Sequence, residues 1–84
     1  MTKYKLTTET KEIYGKTLYR IEALRDFGDV KKGDKGGWIE KEDNLSQEGE
    51  CWVSGDAKVF GDAEVFGNAR VYGDAEVSVN AEVS

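Results

Sequence analysis

With 84 residues, 38% hydrophobic and 35% charged, this chain is long enough for one small domain and too polar to cross a membrane. Its net charge of −5 disfavours nucleic acid as a ligand, because an acidic surface repels the phosphate backbone. Its aromatic content of 11% excludes a disordered tail.

The N-terminal segment predicts a β-hairpin. Tyr4 to Thr8 and Thr17 to Leu24 are candidate strands, and Ile13-Tyr14-Gly15-Lys16 is the candidate turn between them. The segment lacks the continuous apolar run of a secretory signal. We therefore expect a protein that stays in the cytoplasm without contacting a membrane.

A glycine-rich segment, FGDVKKGDKGGWIE, follows the hairpin. Its glycines and charges predict a loop, and it lacks the spacing of a phosphate-binding loop. Ile39 and Leu45 are six residues apart, which indicates a first irregular coil with a bulge before Val53. The predicted organisation is a single domain with a hairpin and glycine-rich loop over residues 1–37, an irregular coil over 38–52 and a regular repeat over 53–84.

The second half of the chain repeats every six residues. From Val53 it reads VSGDAK, VFGDAE, VFGNAR, VYGDAE and VSVNAE. The alternation of Ala and Val with polar or aromatic residues predicts short strands with one buried face. The Gly-Asp and Gly-Asn pairs predict corners.

Three such strands and corners close one triangular coil, so residues 18 apart should stack at about 4.8 Å. A six-residue period is typical of a parallel β-helix, which we expect to be left-handed. Since Val79 replaces a corner glycine, we expect positive φ at the Asp and Asn positions instead.

The outward positions of the coil predict a protein-binding surface. Stacking pairs Lys58 with Glu76 as an ion bridge, Glu64 with Glu82, and Trp52 with Arg70 as a cation–π contact. Aromatic residues anchor many interfaces. The candidate partner-binding residues are Trp52, Phe60, Phe66, Arg70 and Tyr72. The alternative is that the N-terminal half covers these rings.

The C-terminal end of the repeat predicts self-association. A solenoid end without a cap leaves unpaired backbone groups and open apolar positions. We expect another copy to cover this end through Val77, Val79 and Val83, giving a dimer or trimer.

The string from Ala23 to Val53, ALRDFGDVKKGDKGGWIEKEDNLSQEGECWV, followed by GDA and GNARVYGDA units, resembles a group of small phage and prophage proteins. It is similar to the enterobacterial YdcK family, whose members are named as transferases of the hexapeptide-repeat type. The resemblance implies a left-handed β-helix and a bacterial or phage origin. Acyltransferases with this fold typically use a histidine base at a subunit boundary, and this sequence contains no histidine.

These observations favour a non-enzymatic binding module without cofactor or metal, which binds itself and a host bacterial protein. The phage resemblance suggests an inhibitor of a bacterial defence complex, such as a CRISPR effector. Cys51 is expected to be structural in a reducing cytosol, since no histidine is present to activate it.

Three alternatives remain. The first is a degenerate acyltransferase that uses Glu64 or Asp62 as its base, and the second is a self-assembling structural protein. The third is a calcium-binding protein, although the Asp corners lack the nonapeptide spacing of calcium-binding repeats.

Overall fold

The computed structural model describes residues 2–78 and 80–83, which form an all-β fold with mixed sheets. The first three strands are β1 (Tyr4–Ile13), β2 (Lys16–Ala23) and β3 (Lys35–Ile39), followed by a single 3-10 turn at Glu42–Asn44. Six two-residue strands follow, namely β4 (Trp52–Val53), β5 (Lys58–Val59), β6 (Glu64–Val65), β7 (Arg70–Val71), β8 (Glu76–Val77) and β9 (Glu82–Val83).

The predicted hairpin is confirmed. Strands β1 and β2 pair antiparallel from Tyr4↔Ala23 to Ile13↔Lys16. The two-residue turn has positive φ at both positions, 52° at Tyr14 and 76° at Gly15, as a tight hairpin turn requires. The register shifts between Leu6 and Thr10, and the hairpin is longer than the sequence pattern indicated because β1 continues through this irregularity.

Part of the predicted glycine-rich loop is instead strand β3, which pairs antiparallel with β2 and parallel with β5. Its glycines lie where other backbone segments of the same chain approach closely. A Cβ atom on Gly36 would lie 2.5 Å from the Val53 carbonyl oxygen, and one on Gly37 would lie 2.6 Å from that of Ala57. The loop prediction for Lys35 to Gly37 is therefore wrong, because these glycines serve a buried strand and not a turn.

The repeat segment forms three parallel stacks. Strand β4 pairs with β7, β5 with β8 and β6 with β9, in the register Val53↔Val71, Val59↔Val77 and Val65↔Val83. The predicted stacking of residues 18 apart is confirmed by these pairs. The hairpin continues one of the three walls, since the largest sheet has the order β1-β2-β3-β5-β8.

The first coil is irregular, as predicted. Ile39 pairs with Val59 and Leu45 bridges to Val65, so the two residues of each pair are 20 positions apart in the sequence. Later pairs such as Val53↔Val71 are 18 apart. Two extra residues between Leu45 and Val53 explain the difference.

The inward Ala and Val side chains of the repeat contribute to the main core. Val53, Val59 and Ala57 are fully buried, and Tyr4, Phe27 and Trp52 close the core from the hairpin side. The corners correct one prediction. Positive φ falls on Gly55, Gly61, Gly67 and Gly73, at 65–69°, and not on the Asp or Asn that follows each of them. Val79 lies outside the described residues.

Candidate protein-interaction surface

The last coil, defined here as strands β7, β8 and β9 with their connections, leaves apolar positions open. Ala57 and Ala63 are buried one coil earlier, whereas Ala75 and Ala81, 18 residues on, are exposed. Val77 and Val83 are only partly buried, although they pack against the main core. The interior that is closed in the earlier coil is therefore open to solvent at this end.

The backbone of the last coil is also open on one side. The N–H groups of Phe60 and Glu64 donate to the carbonyls of Val77 and Ala81, at 3.0 and 2.9 Å. Within residues 2–78 and 80–83, each of β7, β8 and β9 is the final strand of its sheet. Among these residues their outer edges are not paired with a further strand, and an open edge of this kind can pair with an added strand.

Three of the predicted partner-binding residues lie on the outer surface near this end. Phe66 is 39% exposed, Tyr72 is 71% exposed and Arg70 is also exposed. Large aromatic side chains on a small domain are usually buried, so this exposure favours an interface. Val77 and Val83 border the same end, while the predicted Val79 lies outside the described residues.

The other two predicted residues are internal. Trp52 is 4% exposed and stacks edge-on against Phe27 at 5.2 Å between ring centroids, so it does not stack with Arg70. Phe60 is 6% exposed and clusters with Leu18 and Trp38. The N-terminal half therefore covers these two rings, and they are not available to a partner.

An acidic groove of about 580 Å³ runs beside the β6–β9 wall. Glu64 and Glu82 both line it and lie opposite each other in register, where like charges repel. The residues lining the groove are Glu42, Asp43, Leu45, Ser46, Gln47, Glu64, Val65, Phe66 and Glu82.

The predicted Lys58–Glu76 pair lies in register on β5 and β8. The Lys58 ammonium donates instead to the Asp56 carbonyl, at 2.9 Å. The stacking of the two residues is therefore as expected. The Lys58 side chain, however, makes its hydrogen bond within its own corner of the coil and not to Glu76.

Sequence reasoning missed a buried polar contact at the start of the chain. The Lys3 ammonium is buried beside Cys51, with 3.2 Å between Nζ and Sγ and 2.8 Å between Nζ and the Cys51 carbonyl oxygen. Burial lowers the pKa of Lys3, an effect that the neighbouring Cys51 partly opposes. A lysine two residues from the N-terminus carries no sequence signal of burial, so this contact required the fold.

Two negative findings concern the described residues alone. Among residues 2–78 and 80–83, no group of three or more His, Cys, Asp or Glu side chains is arranged to hold a metal ion. The same residues contain no helix that is long and apolar enough to cross a membrane.

Comparison with known proteins gives a partial match. No family model matches the chain. A stretch of 36 residues is 53% identical to the uncharacterized acetyltransferase YdcK of Escherichia coli (strain K12). This stretch is 43% of the present chain and 11% of the YdcK protein, so the chain is related to a small part of a much longer protein.

This relationship corrects one prediction. We expected a protein that is not an enzyme, because the chain contains no histidine. The expectation is contradicted by the similarity to a protein named as an acetyltransferase. The absence of one common base does not decide the activity of a chain that covers so little of its relative.

Proposed function

We propose that this chain is a left-handed parallel β-helix that acts as a protein-binding module, and that its last coil binds a second copy of the chain. The observation that carries the proposal is the exposure of Ala75 and Ala81 at positions that are buried one coil earlier. The six-residue units with glycine corners and 18-residue stacking support the helical architecture.

The choice of a second copy rests on shape. The edges of β7, β8 and β9 belong to three walls, and the last coil of a second copy offers three edges of the same kind. At the opposite end, β3 is already paired with β2, so head-to-tail stacking is blocked on that wall. Two copies related by a two-fold axis instead bring their last coils together.

Charge supports the same pairing. Arg70 lies on one wall of the last coil, and Glu76 and Glu82 lie on the other two. If the two-fold axis passes through the Glu76 wall, the Arg70 wall of one copy meets the Glu82 wall of the other. If it passes through the Glu82 wall, the Arg70 wall meets the Glu76 wall. Arg70 of each copy then faces an acidic residue of the other, which offsets the like charges that meet on the axis wall. Phe66 and Tyr72 are exposed near this end.

The test is the oligomeric state of the Val77→Asp variant, measured by light scattering against protein concentration. We expect the wild type to dimerise and the variant to associate at least about tenfold more weakly, since a buried unpaired carboxylate is costly. Thr8→Asp on exposed strand β1 adds the same charge away from the interface and should dimerise normally.

Circular dichroism separates weak association from misfolding. If Val77→Asp fails to fold, Ala75→Glu replaces it, because Ala75 is exposed in the single chain. A wild type that stays monomeric throughout, or two variants that dimerise as the wild type does, would overturn the second copy as the occupant.

A second candidate function is acetyl transfer, favoured by the name of the relative. A chain that contributes to such an enzyme should bind acetyl-coenzyme A, and a ligand of the folded state raises Tm. Thermal-shift measurements with acetyl-coenzyme A, with coenzyme A and ATP as comparisons, test this. No shift with any of the three would count against the candidate for this part of the protein.

A further inference from the structure

Lys3 and Cys51 form a buried amine–thiol pair that the interaction surface does not use. Both side chains have 0% exposure. The Lys3 ammonium also lies 3.5 Å from the carbonyl oxygens of Glu48 and Gly49, and 5.0 Å from the Phe27 ring centroid. The amine and the thiol are thus held within contact distance of each other and away from solvent.

A lysine in this position is costly unless something stabilises its charge. The ion pairs among residues 2–78 and 80–83 do not include Lys3. Burial lowers its pKa most, Arg25 and Arg70 lower it further, and Cys51 raises it. A buried ammonium without a carboxylate favours loss of its proton. In its neutral form, the Lys3 amine carries a free electron pair and is a nucleophile.

We propose that Lys3 and Cys51 are a site of oxidative cross-linking, at which a peroxide joins Nζ to Sγ in a sulfur–nitrogen bond. In the first step, the Cys51 thiol attacks hydrogen peroxide. The O–O bond breaks, and sulfenic acid and one water form. In the second step, the Lys3 amine attacks the oxidised sulfur, the S–O bond breaks, and a second water leaves with one amine proton.

In the overall reaction, one thiol, one amine and one molecule of hydrogen peroxide give one sulfenamide and two molecules of water. Sulfur is oxidised and the peroxide oxygen is reduced. Two equivalents of an external thiol reverse the reaction by restoring the thiol and the amine and forming a disulfide. Peroxide is little larger than water, and Lys3 adjoins exposed Thr2 at the margin of the core.

The link would join two distant parts of the fold. Lys3 directly precedes the hairpin, Cys51 directly precedes β4, and the two residues are 48 positions apart. A bond that closes so long a loop restricts the unfolded chain. The oxidised protein should therefore have a higher Tm than the reduced protein, and thiol treatment should return Tm to its original value.

The experiment treats the full chain with hydrogen peroxide and measures the intact mass and the proteolytic peptide map. We expect a product lighter by two hydrogens, in which the peptides that contain Lys3 and Cys51 are joined, and we expect dithiothreitol to restore the starting mass. Products that carry only sulfinic or sulfonic acid, an intermolecular disulfide, or an unmodified Cys51 would overturn the proposal.

Two variants assign the atoms. Cys51→Ser should give no lighter product, and Lys3→Arg should keep the positive charge while leaving Cys51 sulfenic acid to be trapped by dimedone. If Lys3→Arg does not fold, the wild-type peptide map alone decides, since a joined pair other than Lys3 and Cys51 also contradicts the proposal.

Discussion

At the scale of single residues, the buried Asn44 amide makes four hydrogen bonds in the core. Its Oδ1 accepts from the Glu40 and Lys41 N–H groups at 3.1 and 3.0 Å, and its Nδ2 donates to the Gly61 and Ala63 carbonyls at 3.2 and 2.8 Å. This fully buried amide joins the irregular first coil to the second. Its loss would leave buried backbone groups without partners.

We predict that Asn44→Ala lowers the free energy of unfolding by about 3 kcal/mol, because one buried and three partly buried hydrogen bonds are lost at once. The measurement is urea unfolding followed by circular dichroism. The matched control is Asn68→Ala at an exposed corner, which should change stability by about 0.5 kcal/mol or less. Equal effects at the two positions would contradict the assigned role.

Lys3 and Tyr4 predict opposite effects of alkaline pH on stability. The pKa of Lys3 in the folded state is below its usual 10.5, chiefly through burial, so the unfolded state binds more protons between these two values. Stability should therefore rise with pH across that window. Burial, with Glu42 nearby, raises the pKa of Tyr4 above its usual 10.0, so stability should fall as pH rises beyond 10.

Urea midpoints measured from pH 7 to pH 11 test both effects. Lys3→Met should remove the rise and keep the fall, and Tyr4→Phe should keep the rise and reduce the fall. A wild-type midpoint that falls steadily from pH 7 would show that the Lys3 charge costs nothing in the folded protein.

At the scale of elements, β3 depends on the close approach of neighbouring backbone segments. A Cβ on Gly36 would lie 2.5 Å from the Val53 carbonyl oxygen and 2.7 Å from the Trp52 ring. We predict that Gly36→Ala lowers the free energy of unfolding by about 3 kcal/mol, since backbone must shift to admit the methyl group. Thermal unfolding measures the loss.

Gly73→Ala provides the comparison. Gly73 has a φ of 69°, and an added Cβ would meet open space, so only backbone strain of about 1–2 kcal/mol is expected. If Gly36→Ala loses no more stability than Gly73→Ala, steric contact does not explain the glycines of β3.

The elements also show what the sequence could predict. The spacing of Val53, Val59 and Val65 was sufficient for the stacking, because six-residue periodicity repeats the same local environment. Strand β3 was not predictable, since Gly36 and Gly37 are required by neighbours distant in sequence. The corner φ prediction failed because it relied on Val79, one exceptional residue, over the four glycines that occupy regular corners.

At the scale of the whole molecule, order should decrease from the hairpin toward the last coil. The Phe60 and Glu64 amides donate to carbonyls of the last coil, whereas the Glu76 and Glu82 amides point away from the earlier coil. We predict that Glu76 and Glu82 exchange their amide hydrogens fastest in dilute protein and become protected at dimerising concentrations.

Hydrogen exchange at two protein concentrations provides this measurement. The Phe60 amide serves as the internal control and should be protected at both concentrations. Concentration-independent exchange of Glu76 and Glu82 in a protein that dimerises would place the interface elsewhere on the molecule.

The candidate surface was predictable only in part from sequence. Phe66, Arg70 and Tyr72 are exposed as expected for outward repeat positions. Trp52 and Phe60 occupy equally outward positions, yet the hairpin and its neighbours cover them. The position in the repeat determines whether a side chain points inward or outward. Its exposure also depends on whether residues of the non-repeating N-terminal half pack against it.

The change from 20-residue to 18-residue stacking has a consequence for how such a chain can lengthen or shorten. An insertion of 18 residues in the regular part adds one full coil, and every later strand still stacks on the same wall as before. An insertion of six rotates everything downstream by a third of a circuit. Viable length variants should therefore differ by whole circuits, and the hairpin end should tolerate none of these changes.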